Sequence, residues 1–532
     1  MYAPTLRSLR AQQFQEEHSR RLADWFACRP EAVIARAPNP HLAAIECTAQ
    51  NDGGVYVGVT PDRREWTTAA REQAVLVLGP PRSGKTTALI IPAILSAPGA
   101  VVVTSTKHDV LHATASARGR MGTLWVFDPS GSQPIPPNAR ALHWTPVNSA
   151  STWDGARAIA DAMVDASQAG VGVENSSHWT ESAKALLAPL LRAAYVSGKT
   201  IVDVRHWVSR PNEYGKELYT TLVEHGQRAA ADDLAAILLY TDERQRSAIC
   251  ATTRIVLNVY GSDSVAAASQ KQNFDAAAFV SSRDTVYITS PSDKQHLCAP
   301  LVVGLLEEIK RAAYQRHADA RSVGRWPGPS VFWALDEVAN IAPIKRLPSI
   351  ISEGGGQGLQ VMACFQDLSQ ARGRWHDAAD GFLTLFSTKV VFPGIGDVRT
   401  LEALSTLAGD WDRPYVVYNA SSGRSVNFGI PIGVGSSWQT GQSVSNSVQR
   451  EHQLTPATLA NIPTGHALFM SGGSWRLIQC TPFYSHQPWQ DIASGAFLNR
   501  PAPQPLTASN PAPNYDPYLR CDNEQAQSER EG

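Results

Sequence analysis

Short apolar runs, each closed by a turn-forming or polar residue, occur in two separate stretches of the chain. In the first, AVLVLG (74–79) ends at Gly-Pro-Pro, AVVVTST (100–106) follows, and TLWVFDP (123–129) is stopped by Pro129. Runs this short, rich in valine and bounded by glycine or proline, predict buried strands. The second stretch repeats the pattern with DTVYITS (284–290), SVFWALDE (330–337), LQVMACF (359–365) and STKVVFPG (387–394). Helical spacing near Lys85, over 299–316 and over 398–408 separates several of these strands. From about Trp153 to Ala277 the period changes. ARAIADAMVDA, SSHWTESAKALLAPLLRAAYV, ADDLAAILLY and ERQRSAICATTRIVLNVY are all helical, and no buried strand is expected among them. Strands alternating with helices predict an α/β protein with a mainly parallel sheet, interrupted by an inserted all-α domain.

The flanks differ from this pattern. Residues 5–25 are charged and helical in spacing, and NDGGVYVGVT leads polar, Gly-rich sequence into the first strand. Residues 412–450, rich in Gly, Ser, Val and Asn, predict a long hairpin or mobile loop, and HALFMSGG with SWRLIQCTPF predicts two closing antiparallel strands. Beyond Ser494 the chain is Pro-rich and then polar, with little to bury, which predicts a disordered tail. The expected organisation is an N-terminal segment (1–70), a discontinuous α/β domain (71–152 and 281–495), an all-α domain (153–280) and the tail (496–532).

Composition narrows the function classes. The chain has 532 residues, 43% hydrophobic and 18% charged, which is globular and large enough for several domains. A net charge of −1 provides no general attraction to nucleic acid, so any DNA contact must come from local patches. The seven cysteines are scattered without a CxxC or Cys/His cluster, which argues for a reducing compartment and against zinc. The longest apolar stretch, 88–103, is broken by Pro92, Pro98 and Gly99, short of the roughly 18–20 residues a bilayer span needs. With no apolar h-region at the N-terminus either, a soluble, cytoplasmic chain is expected.

The chemistry concentrates at strand ends. GPPRSGKTT (79–87) matches G-x-x-x-x-G-K-[ST] between a predicted strand and a predicted helix, the context a P-loop requires. Gly79, Pro80, Pro81, Arg82, Ser83, Gly84, Lys85, Thr86 and Thr87 are therefore expected to bind ATP. Backbone N–H groups and the helix N-terminus would cradle phosphate, Lys85 would reach the terminal phosphates, and Thr86 would ligate Mg²⁺. Asp336-Glu337 closes an apolar strand in the form of a Walker B pair: Asp336 for Mg²⁺, Glu337 to polarise the attacking water. Such a pair also begins ordinary helices as N-terminal acids, but a P-loop in the same chain favours function. Gln366, just after LQVMACF, is either a γ-phosphate reporter or a helix cap. Lys107, Asp109 and Asp128 fall at the same predicted sheet edge and read as loop or capping residues. His178 and Trp179 read as packing residues, and ERQR (243–246) as a solvated helix face.

In order along the chain, GPPRSGKTTALIIPAIL, VVVTSTKHDVLHATASAR, WVFDPSG with HWTPV, SHWTESAKALLAPLL, WALDEVANIAPIKRLPSIISEGGGQGLQVMACFQDLSQAR and LTPATLANIPTGHALFM resemble the type IV secretion coupling proteins. This TraG/TraD group consists of RecA-like P-loop ATPases with an all-α domain between the two nucleotide motifs, and the resemblance covers about residues 55–480. It implies nucleotide contacts at Gly84, Lys85 and Thr86, catalytic and metal roles for Glu337 and Asp336, and a coupling role for Gln366. It also implies a homo-hexameric ring that moves single-stranded DNA with its relaxase to type IV secretion channel components, the all-α domain selecting substrate. Three features depart from the family. No N-terminal apolar span is present, so a membrane anchor protein would hold the chain at the cytoplasmic face of the cell membrane. STKHD stands where DPKGE is frequent. EGGGQG (353–358) has no arginine where some members place one that reaches the neighbouring subunit's nucleotide. Arg372 and Arg374, or Arg244 and Arg246, are the substitutes, or backbone N–H groups of the glycine loop facing that neighbour. Two other readings stay open: an FtsK/HerA-like double-stranded DNA translocase, and a nucleotide-gated adaptor that recruits substrate without pumping.

Overall fold

The computed structural model describes residues 30–499 except 52, 63–64, 168, 170–174 and 430–432. The helix expected over 5–25 and the tail beyond Asn499 lie outside the described residues. The first strands are β1 (Val55–Val59), β2 (Trp66–Ala69), β3 (Val75–Leu78), β4 (Val101–Ser105), β5 (Leu124–Phe127) and β6 (Arg140–Ala141). After the helical block come β7 (Thr285–Thr289), β8 (Val331–Leu335), β9 (Leu359–Phe365) and β10 (Thr388–Val391). A hairpin, β11 (Asp410–Gly429) with β12 (Gly433–His452), precedes β13 (His466–Ser471) and β14 (Ser474–Gln479).

Apart from the hairpin, these strands form one sheet in the order β2-β1-β14-β13-β10-β3-β9-β8-β4-β7-β5-β6. From β10 to β6 every pairing is parallel, and from β10 back to β2 every pairing is antiparallel. The chain runs from β3 to β4 in one direction and from β9 back past β3 to β10 in the other. That reversal opens a crevice at the strands' C-terminal ends, where open α/β sheets take ligands. The expected parallel sheet is observed; β2 and β6, short and only partly apolar, carry too weak a period to be read from sequence.

The central strands are buried on both faces, and their side chains alternate between two apolar layers. Val75 and Val77 join Ile90, Ile94, Leu111 and Trp489 on one side, while Leu76 and Leu78 join Trp333, Ile309, Leu305 and Trp144 on the other. Among the described residues from 153 to 280 every regular element is helical, from Trp153–Ala166 to Ala276–Val280. Their apolar faces (Ile159, Met163, Leu187, Leu191) continue the second layer and meet the long helix Gln295–Ser322. Among the described residues no helix is long and apolar enough to cross a membrane.

EGGGQG forms the turn that joins the helices following β8 to the start of β9. Val331 pairs with Leu359 at the start of β8 and β9, whereas Asp336 follows Leu335 at the other end. Glycines 354–358 therefore sit at the N-terminal edge of the sheet, about 17–20 Å from the acidic pair at ~3.3 Å per residue. They serve packing. A Cβ on Gly355 would stand 2.1 Å from the Glu72 carbonyl oxygen, and one on Gly358, at φ +80°, 2.9 Å from His317 Nδ1. Within one chain the loop therefore lies at the edge opposite that chain's own P-loop. Valine at Gly355 should therefore cost about 1–3 kcal/mol of stability through overpacking. Valine at Gly356, where a Cβ meets nothing within 4 Å, should stay within about 0.5 kcal/mol of wild type. Denaturant unfolding of the two variants checks this, and equal losses would contradict it.

Candidate functional site: a P-loop facing an acidic strand end

The loop after β3 bends where glycine alone fits. A Cβ on Gly79 would meet Phe392 Cβ at 2.7 Å and Ser83 Oγ at 2.8 Å, so the space above β3 is closed to any side chain. The Gly79 N–H donates to the carbonyls of Phe365 (3.2 Å) and Gln366 (3.1 Å), tying the loop to the end of β9. Arg82 and Gly84 both take positive φ, +64° and +96°. Arg82, exposed, accepts a conformation that costs an L-residue about 1–2 kcal/mol. The helix that follows opens with a π-helical turn (Lys85–Ile90) and becomes α over Ile91–Ser96. Pro92 cannot donate to the i−4 carbonyl and would crowd it, and the wider turn just before it relieves that conflict.

Three strands bring the remaining groups together. β9 lies between β3 and β8, so Gln366 stands between the P-loop and the acidic pair. The Thr86 hydroxyl reaches past this strand end and donates to Asp336 Oδ2 at 2.9 Å. The Glu337 N–H donates to Asp336 Oδ1 at 3.1 Å, and the Thr104 hydroxyl on β4 donates to the Asp336 carbonyl at 2.7 Å. Glu337 is held in the left-handed region at φ +49°. Lys85 Nζ turns back on its own loop and donates to the carbonyls of Gly79 (2.5 Å) and Pro80 (2.9 Å). Thr87 Oγ1 donates to the Gly84 carbonyl at 3.4 Å.

Electrostatics fit a site that takes a polyanion with a cation. Burial pushes the Asp336 carboxyl above the ordinary carboxylate value, opposed by the Thr86 hydrogen bond and the Lys85 charge and reinforced by Glu337. Burial lowers the Lys85 ammonium, against the pull of Cys364, Asp336 and Glu337. An enclosed carboxylate disfavoured as an anion is matched by a divalent cation. Ser83 Oγ, enclosed in the loop without a hydrogen-bond partner, is an open polar position there. Thr86 and Asp336 thus fit a hard oxygen-liganded cation such as Mg²⁺, and the loop with Lys85 fits phosphate.

The other sequence candidates fall outside this constellation. Gln366 is at its rim, exposed, with its N–H donating to Gln370 Oε1. Asp109 accepts from its own helix start at the Val110 N–H (2.8 Å). Asp128 accepts from the N–H groups of Ser130, Ser132 and Gln133, and so closes a turn. Lys107 is exposed. His178 is exposed rather than packed, while Trp179 lies partly buried against the helical core. Arg372 pairs with Asp397 at 3.0 Å, and Arg374 donates to the carbonyls of Asp165 and Pro343. Arg246 likewise holds the carbonyls of Leu238 and Thr241, which leaves Arg244 the exposed member of the set. Thr104 was missed because a threonine at the end of VVVTS is ordinary strand sequence; a hydroxyl at the end of a fully buried run was its one signal.

Fold and site together define a P-loop α/β protein of the RecA-like kind. The profile of the family described as "Type IV secretory system Conjugative DNA transfer" matches residues 38–454, and the chain belongs to that family. It is 24% identical over 411 residues to conjugal transfer protein TraG of Escherichia coli, covering 72% of this chain and 61% of TraG. It is 24% identical over 359 residues to protein VirD4 of Agrobacterium fabrum, covering 65% of this chain and 51% of VirD4. The chain thus spans between half and two thirds of these relatives' length. Among solved structures, the unbound conjugative coupling protein TrwBdeltaN70 superposes with a TM-score of 0.59 at 17% identity, over 81% of this chain and 88% of that one. TrwB in complex with ADP and Mg²⁺ gives 0.57 at 16% identity, over 83% and 96%. At these identities the likeness carries the fold.

The raised Asp336 carboxyl has a stability consequence of defined sign. Below the ordinary carboxylate value the group is protonated in both folded and unfolded chains and costs nothing. As pH rises through the folded value the penalty of the enclosed anion appears in full. Asp336→Asn, without nucleotide, should therefore melt above wild type at neutral pH, the gap closing toward pH 3–4. Melting curves across that range check this, and a variant less stable at neutral pH than at acid pH, relative to wild type, would contradict it.

Proposed function

We propose that this protein is an ATP-driven coupling protein. It recruits single-stranded DNA with its bound relaxase and drives it to a type IV secretion channel. The observation that carries the proposal is the 2.9 Å hydrogen bond from Thr86 to Asp336, which joins a P-loop to an acidic strand end in a chain of the conjugative DNA-transfer family.

In this reading ATP with Mg²⁺ supplies the anhydride to be cleaved and a cation that neutralises developing charge. The chain's residues do the rest. Lys85 would exchange the Gly79 and Pro80 carbonyls for phosphate oxygens, and the hydroxyl of Thr86 and the carboxylate of Asp336 would hold the cation. Glu337 orients a water and accepts its proton. Gln366, tied through its carbonyl to the P-loop and through its N–H to the next helix, links nucleotide state to the rest of the domain. Residues 71–152 and 281–495 form the motor, and 153–280 the substrate-selecting unit. Six copies form a ring at the cytoplasmic face of the membrane. Arg244, the exposed member of the arginine set, is the candidate to reach a neighbouring nucleotide.

ATPase activity with and without single- and double-stranded DNA tests the reading. Lys85→Ala should weaken nucleotide binding at least about 100-fold. Glu337→Gln should bind within a few-fold of wild type while hydrolysis drops about 10²–10⁴-fold. Stimulation by single-stranded DNA is expected. Stimulation by neither DNA, or normal hydrolysis by Glu337→Gln, would contradict the proposal.

A further inference from the structure

We infer that Thr104 is a positioning residue for the hydrolytic step: its hydroxyl fixes the peptide between Asp336 and Glu337 so that Glu337 is presented toward the P-loop. The inference rests on the ATPase reading of this site.

The backbone ladder between β4 and β8 ends at the Thr104–Leu335 pair. One residue further the β8 chain leaves strand geometry, and the Thr104 side chain continues the pairing by donating to the Asp336 carbonyl at 2.7 Å. Thr104 is fully buried on the strand beside the acidic pair, so its hydroxyl has no water to turn to. The held carbonyl belongs to the peptide that enters Glu337, whose φ of +49° and ψ of 45° are left-handed. A residue without glycine's freedom keeps that conformation only where its surroundings dictate it. Three groups do so. Thr104 takes the carbonyl of the 336–337 peptide, Asp336 Oδ1 accepts its N–H at 3.1 Å, and the Glu337 carbonyl accepts the N–H groups of Asn340 (2.9 Å) and Ile341 (3.0 Å).

These restraints differ in what nucleotide binding does to them. Thr86 and the Asp336 carboxylate are the groups the proposed site gives to the cation, so bonds made through them are open to exchange. Thr104 bonds a backbone carbonyl and contributes nothing to phosphate or cation. It is the hinge pin that stays when the carboxylate changes partner. Removing the hydroxyl frees the 336–337 peptide to rotate toward right-handed φ, which swings the Glu337 side chain away while the P-loop, Lys85 and Thr86 stay in place.

The test separates turnover from binding. Thr104→Val keeps the buried shape and removes the donor. It should lower kcat about 10- to 100-fold, a part of the ~10²–10⁴ that a placed general base supplies. MgATP affinity, read by displacement of a fluorescent ATP analogue, should stay within about 3-fold, and Thr104→Ser should recover most of the rate. A Val variant with wild-type kcat, or one losing affinity as much as kcat, would overturn the inference. Should Thr104→Val fail to fold, Thr104→Ala is judged by the same split. Should wild type hydrolyse no ATP, the proposed function falls first. A crystal structure of the Val variant then decides: Glu337 leaving positive φ supports the inference, and Glu337 retained near +49° overturns it.

Discussion

Thr86 and Asp336 belong to segments 250 residues apart in sequence, yet their side chains meet at 2.9 Å. The architecture around them follows from the need to hold this contact. β3 must deliver the P-loop, β8 must deliver the carboxylate, and β9 must lie between them with its end low enough for a threonine to reach past it. The parallel sheet meets that need because every strand from β10 to β6 points its C-terminal end toward the same crevice. The helical block between the motifs adds length without disturbing the contact. Its helices lie against one face of the sheet, through Ile159, Met163 and Leu187, and Asp161 and Asp165 also pair with Arg346 and Lys345 beyond the end of β8.

The contact is also where the fold gives up stability. An enclosed carboxylate with a raised proton affinity, an ammonium turned onto backbone carbonyls, and Arg82 and Glu337 in left-handed conformations each cost something in the protein alone. Such costs cluster at functional sites, where a ligand can offset them. A phosphate would give Lys85 and the loop N–H groups a better partner, and a cation would give Asp336 a counter-charge. The surrounding layers, with Trp144, Trp333 and Trp489 almost fully buried, are well packed and tolerate this local strain.

Much of this was legible before any coordinates. Seven parallel strands were readable because runs such as VLVL and VFWAL are apolar at every position, which only a sheet covered on both faces permits. The P-loop and Asp336-Glu337 were readable because their chemistry forces residue types at fixed spacing. The sheet edge on which the glycine loop lies was not legible in the sequence, for a physical reason. In sequence it lies close to Glu337, but one parallel strand separates the two ends of the sheet, and sequence proximity does not reveal which edge a loop occupies. Arg372 and Arg374, offered as arginines to reach a neighbouring nucleotide, are engaged within the chain by Asp397 and by carbonyls, which their sequence context did not reveal. Thr104 had no signature, since its role depends on which strand lies beside it.

Whether Thr86 and Asp336 together form a cation-dependent nucleotide site decides the account. Calorimetric titration with ADP, in the presence and absence of Mg²⁺, on wild type and Thr86→Val, measures this directly. The account predicts that Mg²⁺ tightens ADP binding to wild type by at least about 10-fold, near 1.4 kcal/mol, and that Thr86→Val loses that gain while still binding ADP. Wild-type affinity indifferent to Mg²⁺, or a full Mg²⁺ effect in Thr86→Val, would contradict it.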